Sequence, residues 1–203
     1  MTTPVSAETA DLTPESRPLA RVPAASAWWV LIAGVIGFVA SMTLTVEKID
    51  LLLNPSYVPS CNINPIVSCG SVMVTPQASV LGFPNPLLGL VGFTVVIVTG
   101  VLAVTKVPLP QWYWAGLMVG VLIGTVFVHW LIFQSLYRIG ALCPYCMVVW
   151  AVTISLLVVV ATIAFRPPRV LYHWRWSIAT LWFTAVFLLI MVRFWNYWST
   201  LLP

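Results

Sequence analysis

Charge is what this sequence has least of. Asp, Glu, Lys and Arg make up 7% of its 203 residues, against about 25% in an ordinary globular domain. With 61% apolar residues, no soluble core of this size hides so much apolar surface, and the solvent must be a bilayer. The net charge of +4 is spread thinly; the absence of a basic stripe excludes a nucleic-acid surface and leaves the basic residues as topology signals. No charge falls at mid-span, which argues against an ion pathway or proton pump. No βαβ pattern is present, which excludes a soluble glutaredoxin-like domain, and there is neither an internal repeat nor a second domain. Cysteine is also scarce, with four in the chain, and those four carry the chemistry.

Five apolar stretches reach the roughly 20 residues that a helix needs to cross a hydrocarbon core: 27–46, 86–105, 112–133, 143–165 and 177–195. The fold class is therefore an all-α integral membrane protein with five transmembrane helices. The first stretch exceeds the roughly 7–15 apolar residues of a signal peptide, and Glu47 and Lys48 do not make a small-residue cleavage site, so it reads as a retained span. Residues 1–26 are rich in Thr, Pro, Ala, Ser and Glu and read as a disordered cytoplasmic tail. The transmembrane domain is 27–203, and its sizeable extramembrane segment is the loop 47–85, apolar enough to hug the membrane as a short amphipathic or half-helical piece. Pro108, Pro110, Pro167 and Pro168 break the helices between spans. The 11 tryptophans suit interfacial belts, since an indole joins an apolar body to a polar N–H.

Orientation follows from the basic residues. With the N-terminus in the cytoplasm, Arg17, Arg21, Lys106, Arg166, Arg169 and Arg175 lie inside and Lys48, Arg138 and Arg193 outside, the majority that the positive-inside rule requires. The first and third loops must share a side whichever way the chain inserts. Cys61 and Cys69 lie in the first loop, and Cys143 where the third loop meets the fourth span. All four thiols therefore face one compartment or its rim. An extracytoplasmic compartment lets disulfides form and persist.

Cys143-Pro144-Tyr145-Cys146 opens the fourth span. Proline suits the first helical position, and the unpaired N–H groups of the helix end stabilise a thiolate on Cys143. Cys146 lies nearly one turn on, close enough to close a disulfide with Cys143 and one turn deeper in the bilayer. Such a pair suits transfer from a protein thiol to a lipid-soluble acceptor. Two other readings stay open: a four-thiolate zinc site, against which the eight-residue offset of Cys61 and Cys69 speaks, and a structural disulfide in the loop beside inert helix cysteines. His129 near the outer end of the third span is a proton acceptor or a member of the aromatic belt. Arg138 is a thiolate partner or an interface anchor, and Arg193 can snorkel to the headgroups.

The loop pair Cys61 and Cys69, the turn Gly82-Phe83-Pro84-Asn85-Pro86 into the second span, and the later Cys143-x-x-Cys146 resemble the vitamin K epoxide reductase family, in particular its bacterial members that support disulfide-bond formation. The resemblance runs from Trp28 to Phe165. The DsbB type of thiol oxidase has the opposite order, C-x-x-C first, and does not fit. The resemblance implies a four-helix bundle core around a quinone (menaquinone or ubiquinone), covered by the first loop, with the fifth span as an extra C-terminal helix. It implies that Cys146 contacts the quinone, that Cys143 exchanges with Cys69, and that Cys61 pairs with Cys69 and meets an outside thiol. It places Asn85 as a hydrogen-bond donor to a quinone carbonyl, a role beside that of a helix N-cap before Pro86. Phe83 and Trp150 fall beside the same ligand, with Trp150 standing where vertebrate members carry a tyrosine. Thr75 matches an accessory Ser or Thr position, with Ser71 as its competitor. No metal is expected.

The function so implied is a membrane thiol oxidase. A reduced DsbA-like thioredoxin-fold protein, supplied in trans, passes electrons through Cys61/Cys69 and Cys143/Cys146 to the quinone, in the plasma membrane. Two alternatives keep the same residues: a thiol-driven quinone or vitamin K epoxide reductase, and a scaffold whose disulfides only staple the loop.

Overall fold

The computed structural model describes residue 20 and residues 22–165 and 169–200. Most of the tail expected at 1–26 lies outside the described residues, as do Arg166, Pro167 and Pro168. Helix α1 (Ala24–Leu53) starts behind Pro23, three residues before the expected boundary, and runs well past the expected end at 46. No Pro interrupts it until Asn54-Pro55, where a residue before proline disfavours helix, and its two glycines, Gly34 and Gly37, are packed inside the bundle. At 1.5 Å per residue its 30 residues outreach a hydrocarbon core of about 30 Å. Glu47 and Lys48, expected to begin the loop, are therefore in the helix, and Glu47 is buried.

The remaining loop holds a short helix α2 (Cys69–Met73) and a 3₁₀ turn at Pro76–Ser79. Then follow α3 (Pro86–Val104), α4 (Gln111–Gln134), a π-helical turn at Ser135–Ile139, α5 (Pro144–Phe165), α6 (Arg169–Arg193) and α7 (Trp195–Ser199). α1, α3, α4, α5 and the 172–193 part of α6 are long and apolar enough to cross a membrane. Among the described residues there is no β-strand beyond one isolated bridge.

Lipid tails are as apolar as side chains, so helices associate in a bilayer by close packing, not by water exclusion. α1 packs most extensively on α3 and next on α5, and α5 packs on α4. Gly100 makes the first contact possible: a Cβ there would lie 2.6 Å from the Leu31 Cα. The order α3–α1–α5–α4 leaves α3 and α4 as the loosely joined pair of the bundle. α6 stands outside, against α5. It is fastened by His129, whose Nδ1–H donates to the Thr125 carbonyl at 2.8 Å while Nε2 accepts from Trp182 Nε1 at 2.9 Å. Arg193 Nε, expected among the headgroups, donates to the Leu136 carbonyl at 3.0 Å. The tryptophans divide: Trp28, Trp112 and Trp195 are exposed, whereas Trp114 and Trp150 are buried in the bundle.

Candidate active site

Short-range bonds fold the loop before it meets the bundle. The Asn64 Oδ1 accepts from the backbone N–H groups of Ile66 and Val67, an Asx turn that doubles the chain back. The Asn62 Oδ1 accepts from Gly70 N–H at 2.9 Å and from the Ser68 hydroxyl at 3.1 Å. The Ser68 hydroxyl in turn caps α2 by accepting from Ser71 N–H. The folded loop then docks by backbone pairing. Ser68 N–H donates to the Leu142 carbonyl at 2.9 Å and Leu142 N–H donates to the Ile66 carbonyl at 2.7 Å, a parallel bridge centred on Val67 and Leu142. The residues that follow each side of this bridge are Cys69 and Cys143.

Cys61 and Cys69 are joined in a disulfide, and the Cys143 Sγ lies 3.1 Å from the Cys69 Sγ. Cys143 and Cys146 are free thiols. α5 begins one residue after Cys143, so its sulfur sits in the capping position and accepts from Cys146 N–H at 3.4 Å. The side-chain hydrogen bond from Cys146 holds the Cys143 thiol below its ordinary value. Burial opposes this, and the N–H groups of Cys146 and Tyr145 add to it. A thiolate 3.1 Å from a disulfide sulfur is placed for thiol–disulfide exchange. Both disulfide cysteines are buried, Cys69 at 0% exposure and Cys61 at 5%.

On the inner side of the thiols lies a cavity of about 560 Å³, lined by Cys143, Cys146 and Trp150 and running down between α3 and α4. Its walls are almost wholly apolar. The Trp150 side chain borders this cavity, and its Nε1 is buried without a hydrogen-bond partner. Gly92, Gly116 and Gly120 line the same space, and a Cβ on any of them would meet nothing within 4 Å. The cavity thus owes part of its width to missing side chains. Its dimensions and apolar walls fit a flat, lipid-soluble carbonyl compound such as a quinone.

The sequence matches the vitamin K epoxide reductase family over residues 28–161. The chain belongs to that family. No curated protein matches it as a relative. Membership makes the chain one of a family of membrane oxidoreductases that exchange thiols and disulfides and use quinones. The matched stretch contains all four cysteines, α3 and α4 whole, and α1 and α5 except for four residues at one end of each; α6 lies beyond it.

The other residues singled out in the sequence divide between the cavity and its surroundings. Asn85 borders the cavity, but its amide is engaged in the loop: Oδ1 accepts from Val80 N–H and Nδ2 donates to the Gln77 carbonyl at 2.7 Å. It does not cap α3 through its side chain; the N-cap role is replaced by one of pinning the turn at 77–85. Phe83 is exposed and not among the cavity-lining residues, and neither is Thr75, whose hydroxyl donates to the Val72 carbonyl. Ser71 hydrogen-bonds Ser68 within the loop. His129 lies off the cavity, with both ring nitrogens used. Arg138 is exposed in the π-helical turn. Among the described residues, no three His, Cys, Asp or Glu side chains converge as a metal site.

Sequence reading missed Lys48, Ser60, Glu47 and the cavity glycines. Lys48 borders the cavity and donates from Nζ to the Met73 carbonyl at 2.6 Å. The i, i+4 repeat Gly116, Gly120, Gly124 on α4 was the available signal for a smooth helix face.

Proposed function

We propose that the protein is a membrane thiol oxidase that carries electrons from an extracytoplasmic DsbA-like thioredoxin-fold protein to a membrane quinone. The observation that carries the reading is the 3.1 Å approach of Cys143 to the Cys61–Cys69 disulfide, at the mouth of a cavity bordered by Cys146.

The chain's own steps are two disulfide exchanges. Once an outside dithiol has reduced Cys61–Cys69, the Cys69 thiolate attacks Cys143 of a Cys143–Cys146 disulfide. A Cys69–Cys143 bond forms, and Cys146 leaves as a thiolate beside the cavity. Cys61 then attacks Cys69, restoring Cys61–Cys69 and releasing Cys143 as a thiolate beneath the N–H of Cys146. The arrangement observed, with Cys61–Cys69 closed and Cys143 and Cys146 free, corresponds to the end of this sequence. A bound quinone supplies the two-electron acceptor that closes Cys143–Cys146 again. Trp150 borders the space for that acceptor beside Cys146, and Asn85 holds the 77–85 turn at the cavity's edge. An indole is a donor without a readily lost proton, which favours holding a carbonyl over protonating an epoxide oxygen.

The orientation proposed is N-terminus in the cytoplasm and cysteines outside, in the plasma membrane, supported by the basic-residue bias. The partner is tested by Cys69→Ala, which leaves Cys61 unable to close its own disulfide. The expected result is a covalent complex with a thioredoxin-fold protein on non-reducing gels, dissolved by reductant. Absence of any such adduct in cells that form disulfides normally would contradict the reading.

A further inference from the structure

We infer that Glu47 is the proton carrier for Cys61, a catalytic role for a residue that lies outside the four thiols. The inference rests on the relay proposed above. Glu47 is 5% exposed, and an ionisable group is rarely so buried without a partner or a task. Its Oε2 lies 3.5 Å from the Cys61 Sγ. Its Oε1 accepts from the Ser60 hydroxyl and from Ser60 N–H. The adjacent cation, Lys48, turns away to the Met73 carbonyl, so the carboxylate is directed at sulfur and not at an ammonium group. The other titratable groups near it are Cys143, whose thiolate its charge disfavours, and Asp50 on its own helix and Tyr57 on the loop, which share a shallow groove with it.

Cys61 changes protonation twice in each cycle. When it attacks Cys69, its S–H proton passes to the Glu47 carboxylate, the Cys61–Cys69 bond forms, the Cys69–Cys143 bond breaks, and Cys143 departs with the electron pair as a thiolate. When the outside partner closes its own disulfide and releases Cys61, the sulfur leaves as a thiolate and takes the proton back from the Glu47 carboxyl. Ser60 is exposed and bonded to Oε1, so it links the carboxyl to water when the proton must be exchanged. A base in this place is needed because a free thiol near pKa 8.5 is mostly protonated at neutral pH, and Cys61 is shut away from solvent bases.

The test follows disulfide identity. Fully reduced wild type, Glu47→Gln and Glu47→Asp are mixed with a short-chain ubiquinone, quenched in acid at intervals and alkylated. Peptide masses then give the amounts of Cys69–Cys143 and Cys61–Cys69. In wild type, conversion of the first into the second is expected to vary by less than about threefold between pH 6 and 8. In Glu47→Gln it should slow at least about 100-fold at pH 6.5, in the range of lost general acid–base catalysis. It should then climb about tenfold per pH unit, as titration of an unassisted thiol demands. Glu47→Asp should keep the flat profile at a reduced rate, and it decides the matter if the Gln variant does not accumulate. A wild-type profile in Glu47→Gln, or equal and pH-independent losses in both variants, would overturn the role of Glu47. Failure of wild type itself to form Cys69–Cys143 would overturn the relay instead.

Discussion

Cys143 combines two opposing effects in one side chain: burial disfavours its thiolate, and hydrogen bonding from Cys146 and the end of α5 favours it more. A depressed value leaves a larger thiolate fraction at neutral pH, and that fraction is lost only as pH falls through the shifted midpoint. Alkylation of Cys143 by a small permeant reagent is therefore expected to show a midpoint below the ordinary thiol value of about 8.5. Cys146→Ala should move it upward, because the largest cause is removed. Trp150 makes a second residue-level prediction. Trp150→Phe keeps the apolar wall and deletes the orphaned N–H; a hydrogen bond worth about 1 kcal/mol corresponds to a KM for quinone raised by roughly fivefold with little change in kcat. The chemistry of these positions was legible in the sequence, because C-P-Y-C at a helix start has a physical consequence wherever it occurs. The carboxylate at Cys61 was not, since nothing in Glu47-Lys48 marks which of the two turns inward until α1 is known to continue to Leu53.

At the level of helices, glycine decides both contact and space. Gly100 lets α1 and α3 approach, so Gly100→Leu should force them apart; overpacking of this kind costs about 1–3 kcal/mol, visible as a lowered Tm in detergent. Gly116 has the opposite surroundings, with open cavity where a side chain would stand. Gly116→Phe is expected to abolish quinone reduction while the Tm and the Cys61–Cys69 disulfide stay at wild-type values; retained reduction would show that the cavity is not the acceptor site. The five spans were legible from length and hydropathy alone, because a bilayer imposes both. Their ends were less so. α1 overran its expected end by two turns since its amphipathic outer stretch, 47–53, is polar enough to read as a loop yet contains no breaker. The pairing of Val67 with Leu142 was invisible, because a single parallel bridge leaves no periodicity in either strand.

For the whole molecule, parity of the spans required the loop and α5 cysteines to share one side, and the bundle gathers all four sulfurs at one mouth. Orientation is open to a direct check. In intact cells an impermeant maleimide should label Val74→Cys, in the exposed outer loop, and spare Lys106→Cys, at the opposite ends of α3 and α4; the reverse pattern would invert the topology. The acceptor, the relay and the loop pair together make one electron path, and its capacity can be counted. The fully reduced protein carries four thiols, hence two disulfides to be formed at two electrons each. Anaerobic titration with quinone measures that capacity in a single mixing. Wild type is expected to consume two equivalents, Cys61→Ala/Cys69→Ala one, and Cys146→Ala none. One equivalent for wild type would mean that the loop thiols cannot reach the acceptor, and would contradict the relay.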